Sequence, residues 1–522
     1  MLRTFRALSF VVLLAVPQIS RADVRLAGIF GNHMVIQQGE PVRVFGWAEP
    51  GEQVSVSFAG QTGVTNAQKN GRWRVNLPAV KADGETHSIV VKGKNTVEIQ
   101  DVLIGEVWIC SGQSNMEWTV SRSLNPKEEA AAANHPKIRL FNVPRHISAG
   151  TPNDDTPGKW QVCSPRSVPG FSAVGYFFGR KLSQETHLPI GLVGTNWGGT
   201  RIEPWTPPVG FERAGLKDIS KKLKQLDPST REGKDYLQSH LDSVEKWVAG
   251  ARKRVEAGQA LGNPPGRMNH GSIGGATTIY NGMVHGLAPF SVKGAVWYQG
   301  ESNAGDGVRY AAKKRALVEG WRVVFENDDL SFYWVSLANF RQPTDNPAGG
   351  GWGPVRDGQR LALSIPNTGM ALAIDIGDAR DIHPRNKQDV GLRLARWALR
   401  DHYGQKNLVP CGPLFTKATV EGQTIRVSFD HVGKGLMVGK KTAGLDPAKE
   451  VAGGKLRRFA ISGKNGEWKW AEAKIDGETV VVWSKDVPEP VAVRYGYESN
   501  PVGANLYNRD GLPASPFSSD NK

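Results

Sequence analysis

Between residues 101 and 405, short apolar runs rich in β-forming residues alternate with helical stretches. This alternation restricts the possible folds of the chain more than any other feature of the sequence. The apolar runs lie at 106–110, 190–194, 294–298, 332–337 and 370–374, with helical stretches such as 175–186 and 389–402. Continuously apolar strands are buried on both faces, and their alternation with helices is typical of a parallel sheet covered by helices. The sequence therefore predicts an α/β domain over residues 101–405.

Two β-rich regions flank this predicted domain. Residues 23–100 and 406–522 contain runs of alternating apolar and polar residues, separated by turn sequences such as Asn70-Gly71. This pattern is typical of short antiparallel strands, so each region is expected to be a β-sandwich-like domain. A charged helical insertion at about 209–260 is expected to decorate the α/β domain as a solvated helical pair without chemistry.

The first 22 residues have the pattern of a secretory signal peptide. Arg3 and Arg6 precede the apolar run at 7–17, and Ser20-Arg21-Ala22 resembles a small-x-small cleavage site. The run is too short to span a membrane, and no later run reaches about 18 uninterrupted apolar residues. We therefore expect a secreted or periplasmic protein without a membrane span, with an uncleaved anchor as the alternative.

Charge and cysteine content argue against several function classes. The formal charge is +15, or +12 once the three arginines of the predicted signal peptide are removed, but no long basic stripe is interleaved with aromatic residues. Nucleic acid is therefore not an expected partner. Cys110, Cys163 and Cys411 show no metal-ligand spacing and could form at most one disulfide, and the eleven histidines contain no paired metal motif. No metal and no cofactor are expected.

Four segments at the ends of predicted strands carry groups suited to acyl transfer. Gly-Gln-Ser-Asn places Ser114 after the first strand, Gly198-Gly199 follows the second, and Gln299 to Asn303 follows the third. Three acids and His383 follow the last strand. Ligands of open α/β sheets bind at these strand ends. Taken singly, Ser114 could be a helix cap and His383 a structural residue.

Together the segments supply a nucleophile, a base and oxyanion donors. His383 would accept the proton of the Ser114 hydroxyl and pass it to the leaving alcohol. The N–H groups of Ser114 and Gly199, with a side-chain amide, would bind the oxyanion. This set of groups predicts acyl transfer through a serine.

The segments GQSNMEW, NWGGTRIEPW, WYQGESNA and DIHPRNKQDVGLRLA resemble, in this order, the signature blocks of the sialate O-acetylesterase family. That family is a branch of the SGNH-hydrolase superfamily and is similar to certain acetylxylan esterases. The resemblance covers nearly the whole chain. It implies a three-layer α/β/α SGNH-hydrolase domain that removes O-acetyl groups from carbohydrates, either sialic acid or an acetylated polysaccharide, without a metal or cofactor.

The resemblance implies that Ser114 is the nucleophile and His383 the base. The superfamily usually has Asp three residues before the histidine, where this chain has Arg380. Three carboxylates could therefore orient the imidazole, and the order of preference is Asp381, then Glu301, then Asp378.

Further residues are expected to complete the site. Gly199 is predicted to donate to the oxyanion, together with Gln299 or Asn303. The residues predicted to contact substrate are Gln113, Arg201, Glu203 and Trp205. The alternative is that Arg201 and Glu203 only pair with each other and brace the loop. At the level of function, the alternatives are a carbohydrate-binding protein that has lost turnover and an esterase for other acyl groups.

Overall fold

The computed structural model describes residues 23–266, 272–442 and 444–521. The predicted signal peptide, residues 1–22, lies outside the described residues. Within the described ranges, no helix is long and apolar enough to cross a membrane.

The N-terminal region consists of short strands that alternate buried and exposed side chains. They are β1 (Arg25–Leu26), β2 (Val35–Gln37), β3 (Val42–Trp47), β4 (Gln53–Phe58), β5 (Gln61–Asn66), β6 (Arg72–Leu77) and β7 (Thr86–Lys92). The next strand, β8 (Thr96–Gly112), pairs with β7 over its first half and enters the central sheet with its second half. It therefore runs without a break through residue 100, where the sequence pattern changes. Both regions contribute to one hydrophobic core.

The central sheet is mixed. Its further strands are β9 (His135–Asn142), β10 (Trp160–Cys163), β11 (Ile190–Asn196), β12 (Gly294–Tyr298), β13 (Ser331–Val335) and β14 (Thr368–Ala371). The strand order is β10-β9-β11-β8-β12-β13-β14. The six neighbours β9-β11-β8-β12-β13-β14 run parallel to one another, as predicted. Strand β10 is antiparallel to β9. The prediction of a purely parallel sheet is therefore corrected at this edge, where β10 has only one neighbour.

Helices connect the parallel strands, and Ser114 lies at the start of one of them. They are α1 (Ser114–Glu117), α2 (Pro126–Ala131), α3 (Ala173–Thr186), α4 (Pro208–Arg213), α5 (Lys217–Gln225), α6 (Arg231–Glu256), α7 (Tyr310–Val324), α8 (Gly353–Leu361) and α9 (Lys387–His402). Helices α4 to α6 occupy the segment predicted as a helical insertion. Ser172 and Asn386 cap α3 and α9 by accepting backbone N–H bonds, which ends each preceding loop at a fixed position.

Two neighbouring residues of β13 show how the helices cover the sheet. The ring of Phe332 packs against Trp321 of α7, whereas the ring of Tyr333 stacks on Trp397 of α9. Successive side chains of a strand point to opposite faces. Helices α7 and α9 therefore lie against opposite faces of the central sheet.

The C-terminal region contains three small sheets around a separate core. Its strands are β15 (Leu414–Glu421), β16 (Thr424–Asp430), β17 (Leu436–Lys440), β18 (Lys449–Glu450), β19 (Phe459–Ser462), β20 (Trp468–Trp470), β21 (Glu472–Asp476), β22 (Thr479–Trp483), β23 (Ala492–Tyr495), β24 (Leu506–Asn508) and β25 (Phe517–Ser518). The buried guanidinium of Arg356 in α8 donates to the carbonyls of Leu337 and Ala338 and also to those of Glu498 and Ser499. This contact fixes the C-terminal region to the end of β13.

All three cysteines are buried and unbridged.

Candidate active site

Ser114 and His383 meet at the carboxyl end of the central sheet. Ser114 begins α1 two residues after β8 ends, and His383 lies in the loop between β14 and α9. Nε2 of His383 lies 2.9 Å from Oγ of Ser114. Gly112, at the end of β8, lies against the backbone of Tyr298 in β12: its φ is 139°, and a Cβ there would lie 2.2 Å from the Tyr298 carbonyl oxygen. The pair has the geometry in which an imidazole can take the proton of a serine hydroxyl.

Asp381 is the carboxylate that the structure brings to the imidazole. Its Oδ1 lies 3.3 Å from Nδ1 of His383 and accepts the backbone N–H of the same residue at 2.9 Å. Asp381 is half exposed, with 52% of its side-chain surface accessible, so its pull on the imidazole is screened by water. Burial and then the Lys387 charge lower the pKa of His383, and Asp381 opposes them in part. This environment favours the neutral imidazole, the form that can accept a proton.

The other two candidate carboxylates lie elsewhere. Oε1 of Glu301 accepts a hydrogen bond from Nδ2 of Asn115 at 2.6 Å, and within the described chain no hydrogen bond or ion pair joins Glu301 to His383. Burial raises the pKa of Glu301. Asp378 is exposed and accepts the backbone N–H of Arg380 at 2.8 Å.

Gly199 presents an open N–H beside the serine. Its φ is 74°, which favours glycine, and its N–H has no acceptor among the described residues. The preceding N–H, that of Gly198, is held by Oε2 of Glu117 at 2.6 Å. Glu117 also pairs with Arg145. The turn is therefore fixed at Gly198, while the N–H of Gly199 stays available to a substrate oxygen.

The structure corrects the prediction that Gln299 or Asn303 donates to the oxyanion. Both side chains are fully buried. Nε2 of Gln299 donates to Oδ1 of Asn303 at 2.7 Å, and Nδ2 of Asn303 donates to Glu203 at 3.0 Å and to Asp306 at 2.6 Å. Their N–H groups are consumed by internal partners, so neither amide is free to bind a substrate oxygen.

Gln113 instead supplies an available side-chain amide. Its Oε1 lies within 3.4 Å of three donors: Nε2 of Gln299 and the backbone N–H groups of Gly300 and Ser302. Because the oxygen is fixed by donors, the side chain cannot flip. Its Nε2 has no hydrogen-bond partner in the described part of the chain and keeps contact with solvent. Gln113 thus carries a free donor next to Ser114.

Two of the residues predicted to contact substrate, Arg201 and Glu203, belong to a cluster of ion pairs. Arg201 pairs with Glu203 and with Asp306, each at 3.1 Å, and buried Lys313 contacts the same two acids at 2.6 and 2.7 Å. These cations hold the pKa of Glu203 at about 2, although burial acts in the opposite direction. Arg201 and Glu203 are thus paired, as the bracing alternative expects, while contact of Arg201 with substrate stays a prediction.

Trp205 does not reach the cleft. The side chain is completely buried, its Nε1 donates to Oγ1 of Thr200 at 2.9 Å, and its ring packs against Trp297. The prediction that it contacts substrate is corrected, because a side chain without accessible surface belongs to the core.

Three residues close to the reacting pair were not singled out from the sequence. The ring of Trp118 stacks on His383 at 4.9 Å, with the planes 17° apart. Asn115 and Lys387 are joined by a hydrogen bond of 2.5 Å beneath the pair. All three lie inside the motif blocks, but spacing alone does not show which side chains of a block point inward.

A metal site is not evident in the described ranges, where no group of three or more His, Cys, Asp or Glu side chains is arranged to hold an ion.

Comparisons with known proteins agree with this geometry. Residues 104–232 and 268–400 match the family described as "Carbohydrate esterase, sialic acid-specific acetylesterase". Sialate O-acetylesterase of Mus musculus is 30% identical over 97% of each chain. The enzyme of Homo sapiens is 30% identical over 75% of this chain and 73% of its own. A carbohydrate acetylesterase from Xanthomonas citri, solved by crystallography, is 35% identical with a TM-score of 0.78, covering 96% of this chain and all of that one.

A serine and a histidine paired at the strand ends of a mixed α/β sheet, in a chain with these relatives, define a carboxylic ester hydrolase. More particularly, the chain belongs to the sialic acid-specific acetylesterase family of carbohydrate esterases.

Proposed function

We propose that the protein hydrolyses O-acetyl esters of carbohydrates through an acetyl-serine intermediate, with Ser114 as nucleophile, His383 as base and Asp381 as the group that orients the imidazole. The contact of 2.9 Å between Ser114 and His383 is the observation that carries the proposal. A protein that only binds sugars needs no such pair, which disfavours the binding-protein alternative.

The reaction follows from the positions of these groups. Oγ of Ser114 attacks the carbonyl carbon of the ester while Nε2 of His383 takes its proton. The tetrahedral intermediate collapses, its bond to the sugar oxygen breaks, and that oxygen receives the proton from His383. Water, deprotonated by the same imidazole, then attacks the carbonyl carbon of the acetyl-enzyme. The bond from that carbon to Oγ of Ser114 breaks, Oγ takes the proton back from His383, and acetate leaves.

The oxyanion of each tetrahedral intermediate needs donors that face the serine. We assign the N–H groups of Ser114 and Gly199 and Nε2 of Gln113 to this role, because the last two have no partner among the described residues. One such donor contributes about 3 kcal/mol of transition-state stabilisation.

The fold supports the same assignment. Helices on opposite faces of the central sheet are the arrangement of a three-layer α/β/α domain, and we propose that residues 101–405 form an SGNH-type catalytic domain. The β-rich regions at 23–100 and 406–522 would pack beside it. The pattern of residues 1–22 supports export, which N-terminal sequencing of secreted protein would test.

The substrate class is proposed as acetylated sialic acid or an acetylated polysaccharide, because the relatives are named for sialate or carbohydrate acetyl esters. Acetate release from acetylated sialosides, xylan and pectin tests it, together with esters of longer acyl chains. Ser114→Ala should abolish release. Ser121→Ala is the matched control, since Ser121 is exposed and, among the described residues, its hydroxyl bonds only to Oγ1 of Thr119.

Covalent labelling separates the alternatives. An organophosphate should label wild type and Ser121→Ala but not Ser114→Ala. Release that survives Ser114→Ala would show that another nucleophile acts. Folded protein that is neither labelled nor active on any ester would favour the binding-protein alternative.

A further inference from the structure

Asn115 ties the nucleophile segment to the histidine segment. It follows Ser114 in the chain, and its Nδ2 donates to the carbonyl of Ile382, the residue before His383, at 3.1 Å. The second Nδ2 hydrogen is donated to Oε1 of Glu301 at 2.6 Å. Asn115 is buried, so these bonds are not exchanged for bonds to water. The side-chain amide of Asn115 thus connects the segment that carries Ser114 to the segment that carries His383.

Lys387 holds the other end of this amide. Its Nζ donates to Oδ1 of Asn115 at 2.5 Å, and the side chain is completely buried at the start of α9. An ammonium can only donate and a backbone carbonyl can only accept, so the amide of Asn115 has one possible orientation. A neutral, non-donating side chain at position 387 would leave Oδ1 of Asn115 without this donor.

The placement of the two charges is not explained by stability alone. Burying an ammonium and a carboxylate costs desolvation energy that their attraction only partly repays, and apolar residues often serve stability as well or better. Here Lys387 and Glu301 lie at opposite ends of one amide. The Lys387 ammonium also lies 5.3 Å from the centre of the Tyr298 ring and 5.7 Å from that of Trp118, the residue that stacks on His383.

We propose that Lys387 is a positioning residue of the reaction: through Asn115 it fixes the Ser114 segment and the His383 segment relative to each other. The inference rests on the proposed function, because it assigns a task only if Ser114 and His383 react. Lys387 touches neither substrate nor the reacting atoms.

The charge of Lys387 also affects the pKa of the His383 imidazole. Three charged side chains face His383: Asp381, Lys387 and Arg122. Lys387 and Arg122 lower the pKa of His383, and Asp381 raises it. Burial lowers the pKa of Lys387 itself to about 7, with Glu301 and Asp381 opposing and Arg122 adding to the shift. Removing the ammonium should therefore raise the pKa of His383.

The test compares two buried lysines. Lys387→Met should lower kcat about 10- to 100-fold while KM changes less than about threefold, because misplaced groups lose rate rather than binding. The acidic limb of the pH–rate profile should move to higher pH. Lys314→Met is the matched control: Lys314 is equally buried but has no hydrogen-bond partner in the described chain, and kcat, KM and the profile should match wild type.

A double variant keeps the test decisive if Lys387→Met folds poorly. Lys387→Met with Glu301→Gln removes both charges and retains an acceptor for Nδ2 of Asn115. The protein should regain stability, yet kcat should stay low, because Oδ1 of Asn115 still lacks its donor. Wild-type kcat with an unmoved acidic limb in this double variant would overturn the positioning role.

Failure of the inference differs from failure of the proposed function. Loss of acetate release in Ser114→Ala with full kcat in the double variant would overturn only the role of Lys387. Release that survives in Ser114→Ala would overturn the proposed function itself.

Discussion

The carboxylate of Asp381 contacts His383 twice, through Nδ1 at 3.3 Å and through the backbone N–H at 2.9 Å. Both contacts come from a residue only two positions earlier, so the loop that carries the proposed base also carries its proposed orienting group. Glu301, from a neighbouring strand end, instead binds Asn115. The two carboxylates therefore have separable roles.

Replacing Asp381 with Asn should lower kcat about 10- to 100-fold, because the variant can no longer stabilise the imidazolium by charge and can favour the wrong tautomer. The loss is expected to be smaller than in a buried triad, since Asp381 is half exposed. The acidic limb should move to lower pH, because a negative charge that raises the pKa of His383 is gone. Steady-state rates from pH 4 to 8 check this. A larger loss in Glu301→Gln than in Asp381→Asn would contradict the assignment.

The pH dependence of wild type reports the state of His383. The imidazole must be neutral to accept the serine proton, and its pKa lies below the usual 6.5 because burial and Lys387 disfavour the charged form. We therefore expect the acidic limb of kcat/KM to be centred below pH 6.5. The profile is measured with a substrate that does not ionise in this range. An acidic limb centred above pH 6.5 would argue against this environment.

Gln113→Glu tests the role of Nε2 separately from that of Oε1 in the Gln113 side chain. The variant keeps an oxygen for the N–H groups of Gly300 and Ser302 but replaces the Nε2 donor with an acceptor. If Nε2 binds the oxyanion, kcat should fall about 100- to 1000-fold, the loss seen when one such donor is removed. KM should change little. Thermal unfolding checks that the fold is intact, and near-normal kcat in a folded variant would exclude Gln113 from the oxyanion site.

The sequence was informative where a pattern reports local geometry. Alternating apolar runs and helices predicted the parallel strands β8, β11, β12, β13 and β14, and the family resemblance that the motif blocks implied is confirmed. Strand ends gather at one edge of a parallel sheet, so Ser114 and His383 could be expected to meet although they are far apart in sequence.

Side-chain direction within a loop could not be predicted in this way. Asn303 faces the interior because Glu203, about 100 residues earlier, and Asp306 accept its N–H groups. Trp205 is buried because Trp297 of β12 covers its ring. Such partners come from other elements and cannot be read from the spacing of the loop itself, which is why Asn303 was expected at the oxyanion and Trp205 at the substrate.

Lys314 is a core lysine that forms no ion pair with any described residue. Its side chain has no accessible surface, its Nζ has no hydrogen-bond partner among the described residues, and the rings of Trp297, Tyr310 and Trp334 surround it at 5.0 to 5.3 Å. Ring faces attract an ammonium, but they replace only part of its hydration. Burial consequently lowers the pKa of Lys314 well below 10.5.

Lys314→Met should therefore stabilise the fold, by about 1 to 3 kcal/mol at pH 7, the cost of an unsatisfied buried polar group. In the unfolded chain Lys314 keeps its proton up to about pH 10.5, whereas in the folded chain it releases the proton at a lower pH. The free energy of unfolding of wild type therefore rises with pH between the pKa of Lys314 in the folded chain and its pKa in the unfolded chain. The advantage of the variant should shrink from pH 7 to pH 9. Urea unfolding at both values measures it, and a variant less stable than wild type at pH 7 would show that the rings hold the ammonium favourably.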